Sequence, residues 1–325
     1  MIKAALGIDI GGTNTDFAFI DRDGKTLGED RIVTNGYNEI EVFLGALNEK
    51  VRLACKKIPE KIEVIGIGVG APMGNINRGT IEHAADLKWK GIIPLADMMS
   101  KYTDIPILVT NDANAAAVGE MIFGGARGMK NFVVITLGTG LGSGIVTDGH
   151  LLYGQDGFAG EVGHTIVRPG RTNRECGCGR VGCLETYVSA TGIKRTMFKI
   201  LADSMADSEL RRLSFDEMTS LHISEAAERG DVLAIQAFDH TGEMLGLKLA
   251  DLVAHTNPEA IFLFGGLTLA KGLIMEPTIR AFEENLLSIY KGKVKLLASE
   301  LNSKNAAILG AAALAWDQYE KSEQK

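Results

Sequence analysis

Leu6-Gly7-Ile8-Asp9-Ile10-Gly11-Gly12-Thr13-Asn14 is an apolar run that ends in an acid and a glycine-rich turn. A second apolar run, Phe17-Ala18-Phe19-Ile20, follows at once. Strand, tight turn and returning strand make a β-hairpin. A dinucleotide-binding fold would instead pass from such a turn into a helix. The pattern recurs further on. Phe132-Val133-Val134-Ile135-Thr136-Leu137 leads into Gly138-Thr139-Gly140-Leu141-Gly142, and Ser143-Gly144-Ile145-Val146 returns. Two hairpins of one design in one chain predict two similar α/β halves facing each other across a cleft.

The residues around each hairpin extend this reading. After the first come a turn at 21–25, a strand at 31–34 and a helix over 38–57 with apolar residues at helical spacing. Strands follow at 64–70 and 106–110, the latter delivering Asn111-Asp112 to a helix over 113–122. Beyond the second hairpin, helices are expected at 185–202, 222–229 and 231–255, and a strand at 260–264 ends at Gly265-Gly266. A helix near 275–289, a strand at 293–297 and a last helix over 305–319, with Asn302 or Ser303 as its cap, complete the chain. Residues 203–221 are polar and read as a mobile connection or short helices.

Composition narrows the function. The 325 residues suffice for two domains, and 46% apolar with 23% charged residues is ordinary for a folded soluble protein. A formal charge of -7 and a pI near 5.5 argue against a nucleic-acid binder. The first residues enter a strand with no secretory leader, and no apolar run reaches membrane-spanning length. Four cysteines, three of them clustered, suit a reducing cytoplasm. Cys55 reads as a plain thiol on a helix.

The cluster is Cys176-Gly177-Cys178-Gly179-Arg180-Val181-Gly182-Cys183-Leu184-Glu185, preceded by Gly160-Glu161-Val162-Gly163-His164. Three thiolates and one imidazole, from His164, Cys176, Cys178 and Cys183, are a ligand set for tetrahedral Zn²⁺. A closed set leaves no open position, so the metal reads as structural, fixing His164, Glu161 and Glu185. The competing reading is three reduced surface thiols beside a core histidine. Each glycine-rich turn, with its threonine, suits a polyphosphate, because backbone N–H groups can approach the oxygens. Either turn alone is equally a plain tight turn. Asp9 beside the first could hold Mg²⁺ through water. Asp112 at a strand-to-helix junction reads as a helix N-cap worth about 1 kcal/mol. Opposite a phosphate cradle it reads as a base for a substrate hydroxyl.

Together these motifs resemble the ROK family (repressor, open reading frame, kinase) of bacterial sugar kinases and regulators, over nearly the whole chain. Asp9-Ile-Gly-Gly-Thr-Asn14 is similar to its first phosphate motif, and 137–144 to its second. Asn111-Asp112 with the following Ala113-Asn114-Ala115-Ala116 is similar to its catalytic segment. Residues 160–164 and 176–185 resemble its signature. The resemblance implies an actin-like (ribonuclease H-like) two-domain ATPase fold with an interdomain cleft. One domain would span residues 1–112 plus 303–325, the other 113–302 with the zinc loop. It implies phosphorylation of a hexose, glucose first, at the 6-hydroxyl by ATP and Mg²⁺, with Asp112 as catalytic base. Sugar contacts would come from Gly70, Asn111, Asp112, Glu161, His164 and Glu185. ATP contacts would come from Asp9, Gly11, Gly12, Thr13, Asn14, Thr139, Gly140, Gly142, Gly265 and Gly266. It further implies a cytoplasmic homodimer. Kinases for N-acetylhexosamine, fructose, allose or mannose, a polyphosphate donor, and a non-catalytic sugar sensor are the alternatives. Family regulators carry a DNA-binding segment before the first motif, and about eight residues precede Asp9 here. Leu267 follows Gly265-Gly266 where relatives often have a third glycine, a difference expected to narrow the adenine contact. Trp89 lacks the asparagine many relatives have after it, which bears on sugar preference.

Overall fold

The computed structural model describes residues 1–85, 87–301 and 306–323. Strands β1 (Ile2–Ile10), β2 (Asn14–Ile20) and β3 (Thr26–Val33) lead to α1 (Ile40–Lys57) and β4 (Ile62–Gly70). Short strands β5 (Gly74–Asn75), β6 (Thr80–Glu82) and β7 (Ile92–Ile93) and helix α2 (Leu95–Met99) precede β8 (Ile107–Thr110) and α3 (Asp112–Phe123). Then come β9 (Phe132–Leu137), β10 (Leu141–Thr147), β11 (His150–Leu151), α4 (Ala190–Asp203), α5 (Ser220–Glu228) and α6 (Val232–Thr256). The chain ends with β12 (Ala260–Phe264), α7 (Gly272–Asn285), β13 (Lys295–Ala298) and α8 (Ala306–Glu323).

Two compact units form. The first is Met1–Met129 with His150–Ala159 and Ser299–Lys325, and the second is Lys130–Gly149 with Gly160–Ala298. The first unit's sheet runs β3-β2-β1-β4-β8, antiparallel through β1 and parallel beyond it. The second unit's runs β10-β9-β12-β13, with the β9–β10 hairpin antiparallel and the other pairs parallel. The repeated hairpin is therefore the start of a repeated topology.

In the first unit β1 is covered on both faces, which is why it reads as a nearly unbroken apolar run. Helix α1 covers one face with Phe43, Leu44, Leu47 and Ala54. Helix α8 lies on the other, and it lies very close. A Cβ on Gly68 of β4 would fall 1.7 Å from the Ala311 carbonyl oxygen, so only glycine lets the helix sit there. Ala311, Ala312 and Ala315 supply the low-profile helix face toward the sheet. Helix α3 also packs on α8. That contact is the physical reason the first unit runs on to Met129 rather than stopping at 112, because the partner of α3 lies far along the chain.

Several boundaries differ from the sequence reading. Strand β3 begins at Thr26, since register with β2 extends its pairing. The expected helix over 185–202 begins at Ala190, where Ser189 caps it by accepting a hydrogen bond from the Gly192 amide at 2.9 Å. Glu185 belongs instead to a short 3₁₀ turn, Leu184–Thr186. In the polar stretch 203–221, Leu210 and Met218 are buried in the second unit's core. The expected cap at Asn302 or Ser303 falls outside the described residues. Among the described residues, no helix is long and apolar enough to cross a membrane.

Candidate active site

The first unit brings three sequence-predicted segments, Asp9–Asn14, Gly70 and Asn111-Asp112, to the C-terminal ends of β1, β4 and β8. The turn after β1 is closed by the Gly11 amide donating to the Asn14 carbonyl at 3.0 Å. Its far side is tied down by the Thr34 amide donating to the Thr13 carbonyl at 2.8 Å. Gly11, Gly12 and Asn14 are half-buried and Thr13 is exposed. Asp9 pairs in register with Gly70 of β4. A Cβ on Gly70 would lie in ordinary contact with Asp9 Oδ1, at 3.8 Å. Burial, then the charges of Asp112 and Asp16, raise the Asp9 carboxyl from its ordinary value to about 7. A carboxylate crowded by other acids in this way is where a bound cation gains most. The loop after Gly70 runs beside β8, since the Ala71 amide donates to the Thr110 carbonyl at 2.9 Å.

Helix α3 begins at this point, and its cap is Asn111. Asn111 Oδ1 accepts from the Asn114 amide at 2.7 Å. Asp112 is therefore not the N-cap that its position had allowed. It stands exposed in the first turn, with Oδ1 accepting from the Ala113 amide at 3.0 Å. Asn111 commits its side-chain oxygen to the cap.

The second unit holds the other turn. The Gly138 amide donates to the Gly140 carbonyl at 3.1 Å, and the Gly142 amide to Thr136 Oγ1 at 3.2 Å. Thr139 is exposed at its tip. The Gly138 carbonyl accepts from the Ala190 amide at 2.9 Å, which anchors the turn to the start of α4. Gly265 has φ 113°, and a Cβ there would lie 2.5 Å from the Leu137 carbonyl oxygen. Only glycine lets the end of β12 close against the end of β9, with Gly266 exposed beside it. Leu267 is 2% exposed and sits in the unit's apolar core. It cannot narrow an adenine contact from there.

His164, Cys176, Cys178 and Cys183 converge, their ligand atoms all within 4.8 Å of one another. Cys178 Sγ lies 3.7 Å from Cys183 Sγ, and Cys176 Sγ lies 3.6 Å from His164 Nδ1. A tetrahedral zinc with ordinary bond lengths would set these separations at about 3.8 and ~3.6 Å. Without an ion, burial and the Glu185 carboxylate push the Cys176 thiol far above its usual range. Burial and then the Cys178 sulfur raise Cys183. A dication would reverse both effects, so the donor set fits the metal. His164 turns Nδ1 toward the sulfurs and Nε2 toward Glu161, whose Oε2 is 3.8 Å away. Glu185 reaches both ways. Its Oε1 lies 3.1 Å from Cys176 Sγ and 3.7 Å from His164 Nδ1, and its Oε2 is 3.4 Å from the Leu141 amide. A Cβ on Gly140 would meet that Oε2 at 2.7 Å. Glu185 thus joins the cysteine cluster to the Thr139 turn.

Two supporting residues escaped the sequence reading. Ser143 Oγ donates to the Gly160 carbonyl and takes a long hydrogen bond, 3.4 Å, from the Val162 amide, which fixes the 160–164 segment. Arg174 donates to the carbonyls of Thr186 at 2.7 Å and Gly192 at 3.0 Å, and to Thr196 Oγ1 at 3.0 Å. Its guanidinium lies 4.4 Å from the Tyr187 ring centroid. It pins the turn carrying Glu185 to α4. An arginine two residues before Cys176 was the only local signal.

The model of the ROK family matches residues 5–318. A glucokinase of Halalkalibacterium halodurans is 35% identical, over 98% of this chain and 97% of its own length. A xylose repressor of Caldicellulosiruptor bescii is 28% identical, over 96% of this chain and 78% of its own. Among solved structures, a ROK family glucokinase from Streptomyces griseus in complex with glucose and AMPPNP superimposes with a TM-score of 0.78 at 32% identity. The match covers 97% of this chain and 99% of that one.

Proposed function

This chain belongs to the ROK family, and from that premise we propose that it is an ATP-dependent hexose kinase whose sugar is glucose. Full-length similarity to glucokinases and to a solved relative holding glucose and AMPPNP supports the assignment. One observation carries the chemistry. Asp112 stands in the first turn of α3, where Asn111 holds the N-cap, and its charge bears on Asp9 beside the first phosphate turn, which is where a base for a substrate hydroxyl is needed.

In this reading Asp112 accepts the proton of the sugar 6-hydroxyl while that oxygen bonds to the γ-phosphorus and the bond to ADP breaks. The turns at Gly11, Gly12, Thr13 and Asn14 and at Thr139, Gly140 and Gly142 offer backbone N–H groups and hydroxyls to the phosphates. Gly265 and Gly266 form the open floor for the adenosine. Asp9 would hold Mg²⁺, which when bound would neutralise phosphate charge. Asp9 itself keeps a carboxylate poised for the cation. Asn111 NH₂, Glu161, His164 Nε2 and Glu185 match the ring hydroxyls, and Gly70 leaves room for the ring beside them. His164, Cys176, Cys178 and Cys183 would hold Zn²⁺, which as a closed structural site would fix that set rather than supply a reactive position. Because Nδ1 faces the sulfurs, Nε2 is left as the donor toward the sugar and Glu161. A homodimer is the assembly carried over from the family resemblance.

The test is the product of glucose, ATP and Mg²⁺, read by ³¹P and ¹³C NMR. Phosphate on C6 is the expected result. Phosphate on C1, or ADP formed without a sugar phosphate, would overturn the assignment.

A further inference from the structure

A cavity lies in the first unit, and neither Asp9, Asp112 nor the phosphate turn lines it. Its volume is about 470 Å³, within the roughly 300–1,000 Å³ range of small-molecule sites. Close-packed protein interiors seldom leave such a space. Leu6 and Ile8 of β1 and Phe19 of β2 floor it, and Leu44, Leu47 and Val51 of α1 wall it. The wall residues recur at helical spacing, so one face of α1 looks inward.

The mouth has a different chemistry. Asn48, Arg52 and Lys56 also line the space, and they stand four residues apart along one edge of α1. Both charged groups of the lining are cations, and no carboxylate is among the lining residues. Glu49 takes part of the Arg52 charge, at 2.8 Å from Nη2, while sitting outside the lining. Lys56 adds a second positive charge one turn on. Tyr102 and Thr103 bring further polar groups to the lining, and Cys55 lines it as a half-buried thiol.

We infer that this cavity binds a small amphiphilic anion, with an aliphatic body inside and a carboxylate at Arg52 and Lys56. An apolar chamber opening on two cations selects for that pairing. A neutral apolar molecule would fill the chamber without engaging the mouth, and a hydrophilic anion would engage the mouth and leave the chamber wet. The inference does not depend on which sugar the enzyme phosphorylates.

The experiment is isothermal titration calorimetry of the full-length, zinc-loaded protein with decanoate and, separately, with 1-decanol. Three proteins are compared: wild type, Val51→Trp, which fills the chamber, and Arg52→Glu/Lys56→Glu, which changes only exposed side chains. Glucose phosphorylation by each serves as the control for folding. Saturable decanoate binding to wild type is expected, weakened at least tenfold by either variant. Decanol binding should fall with Val51→Trp and change less than threefold with the charge reversal. Absence of saturable decanoate binding to wild type would overturn the inference. So would decanoate affinity unchanged by the charge-reversed variant, which keeps the core intact if Val51→Trp fails to fold.

Discussion

At Asp112 the chain's two readings make opposite demands, and the geometry separates them. A helix cap substituted by asparagine keeps its function, because asparagine caps as well as aspartate. A general base does not. Since Asn111 already accepts from the Asn114 amide, Asp112→Asn should leave the melting temperature within a degree or two of wild type. Its kcat should fall at least about 10²-fold, the scale of lost general-base catalysis, with glucose affinity retained. Steady-state kinetics with calorimetric glucose binding checks this, and near-normal kcat would remove Asp112 from the mechanism. Asp9 gives a second prediction, on stability. Its carboxyl titrates near 7 in the fold and near its ordinary, lower value when unfolded. The folded state therefore holds a proton that the unfolded state has lost, and stability contributed at low pH is lost as pH rises toward 7. Asp9→Asn escapes that loss. Measured without Mg²⁺, its gain in melting temperature over wild type should be absent near pH 4, grow up to about pH 7 and level off above. A gain that shrinks with rising pH would contradict the burial argument. Neither the true cap nor the raised carboxyl was legible in the sequence. Asn111 and Asp112 are both good caps, and the choice between them depends on where β8 ends.

At the scale of elements, the hairpins were readable because apolar run, glycine turn and apolar run are all local signals. The helix starts were less so. Glu185 sits in a 3₁₀ turn before α4 because Ser189 caps the helix and Arg174 holds the turn's carbonyl, and the second of these contacts comes from a separate loop. The cysteine loop was legible as a ligand set. What was not legible is that Glu185 spans from Cys176 to the amide of Leu141. This arrangement makes metal content a property of the whole loop. About one zinc per chain is expected by elemental analysis of the purified protein. Cys178→Ser should lower that content and raise the glucose KM, because His164 and Glu185 lose their common anchor. Active, folded protein devoid of metal would end the zinc assignment and leave three reduced thiols.

On the scale of the whole molecule, the repeated hairpin foretold a repeated topology, and each unit indeed builds its sheet outward from it. The boundary at 112 was less readable, since α3 finds its partner in α8 near the other end of the chain. Specificity also belongs to this scale. In the proposed site Glu161, His164 and Glu185 would offer acceptors and a donor to vicinal hydroxyls, and a site built on paired hydroxyls rejects a sugar that leaves its polar groups unmatched. Trp89 is buried against Phe43, their ring centroids 4.8 Å apart, so it belongs to the first unit's core. The direct test is kcat/KM with ATP and Mg²⁺ across glucose, mannose, fructose, allose, N-acetylglucosamine and N-acetylmannosamine, read as ADP release. The account predicts the highest value for glucose, a lower one for mannose and little with either N-acetylated sugar. A higher value for any other sugar would contradict the glucose assignment, and no sugar-dependent ADP release from any of them would contradict the kinase itself.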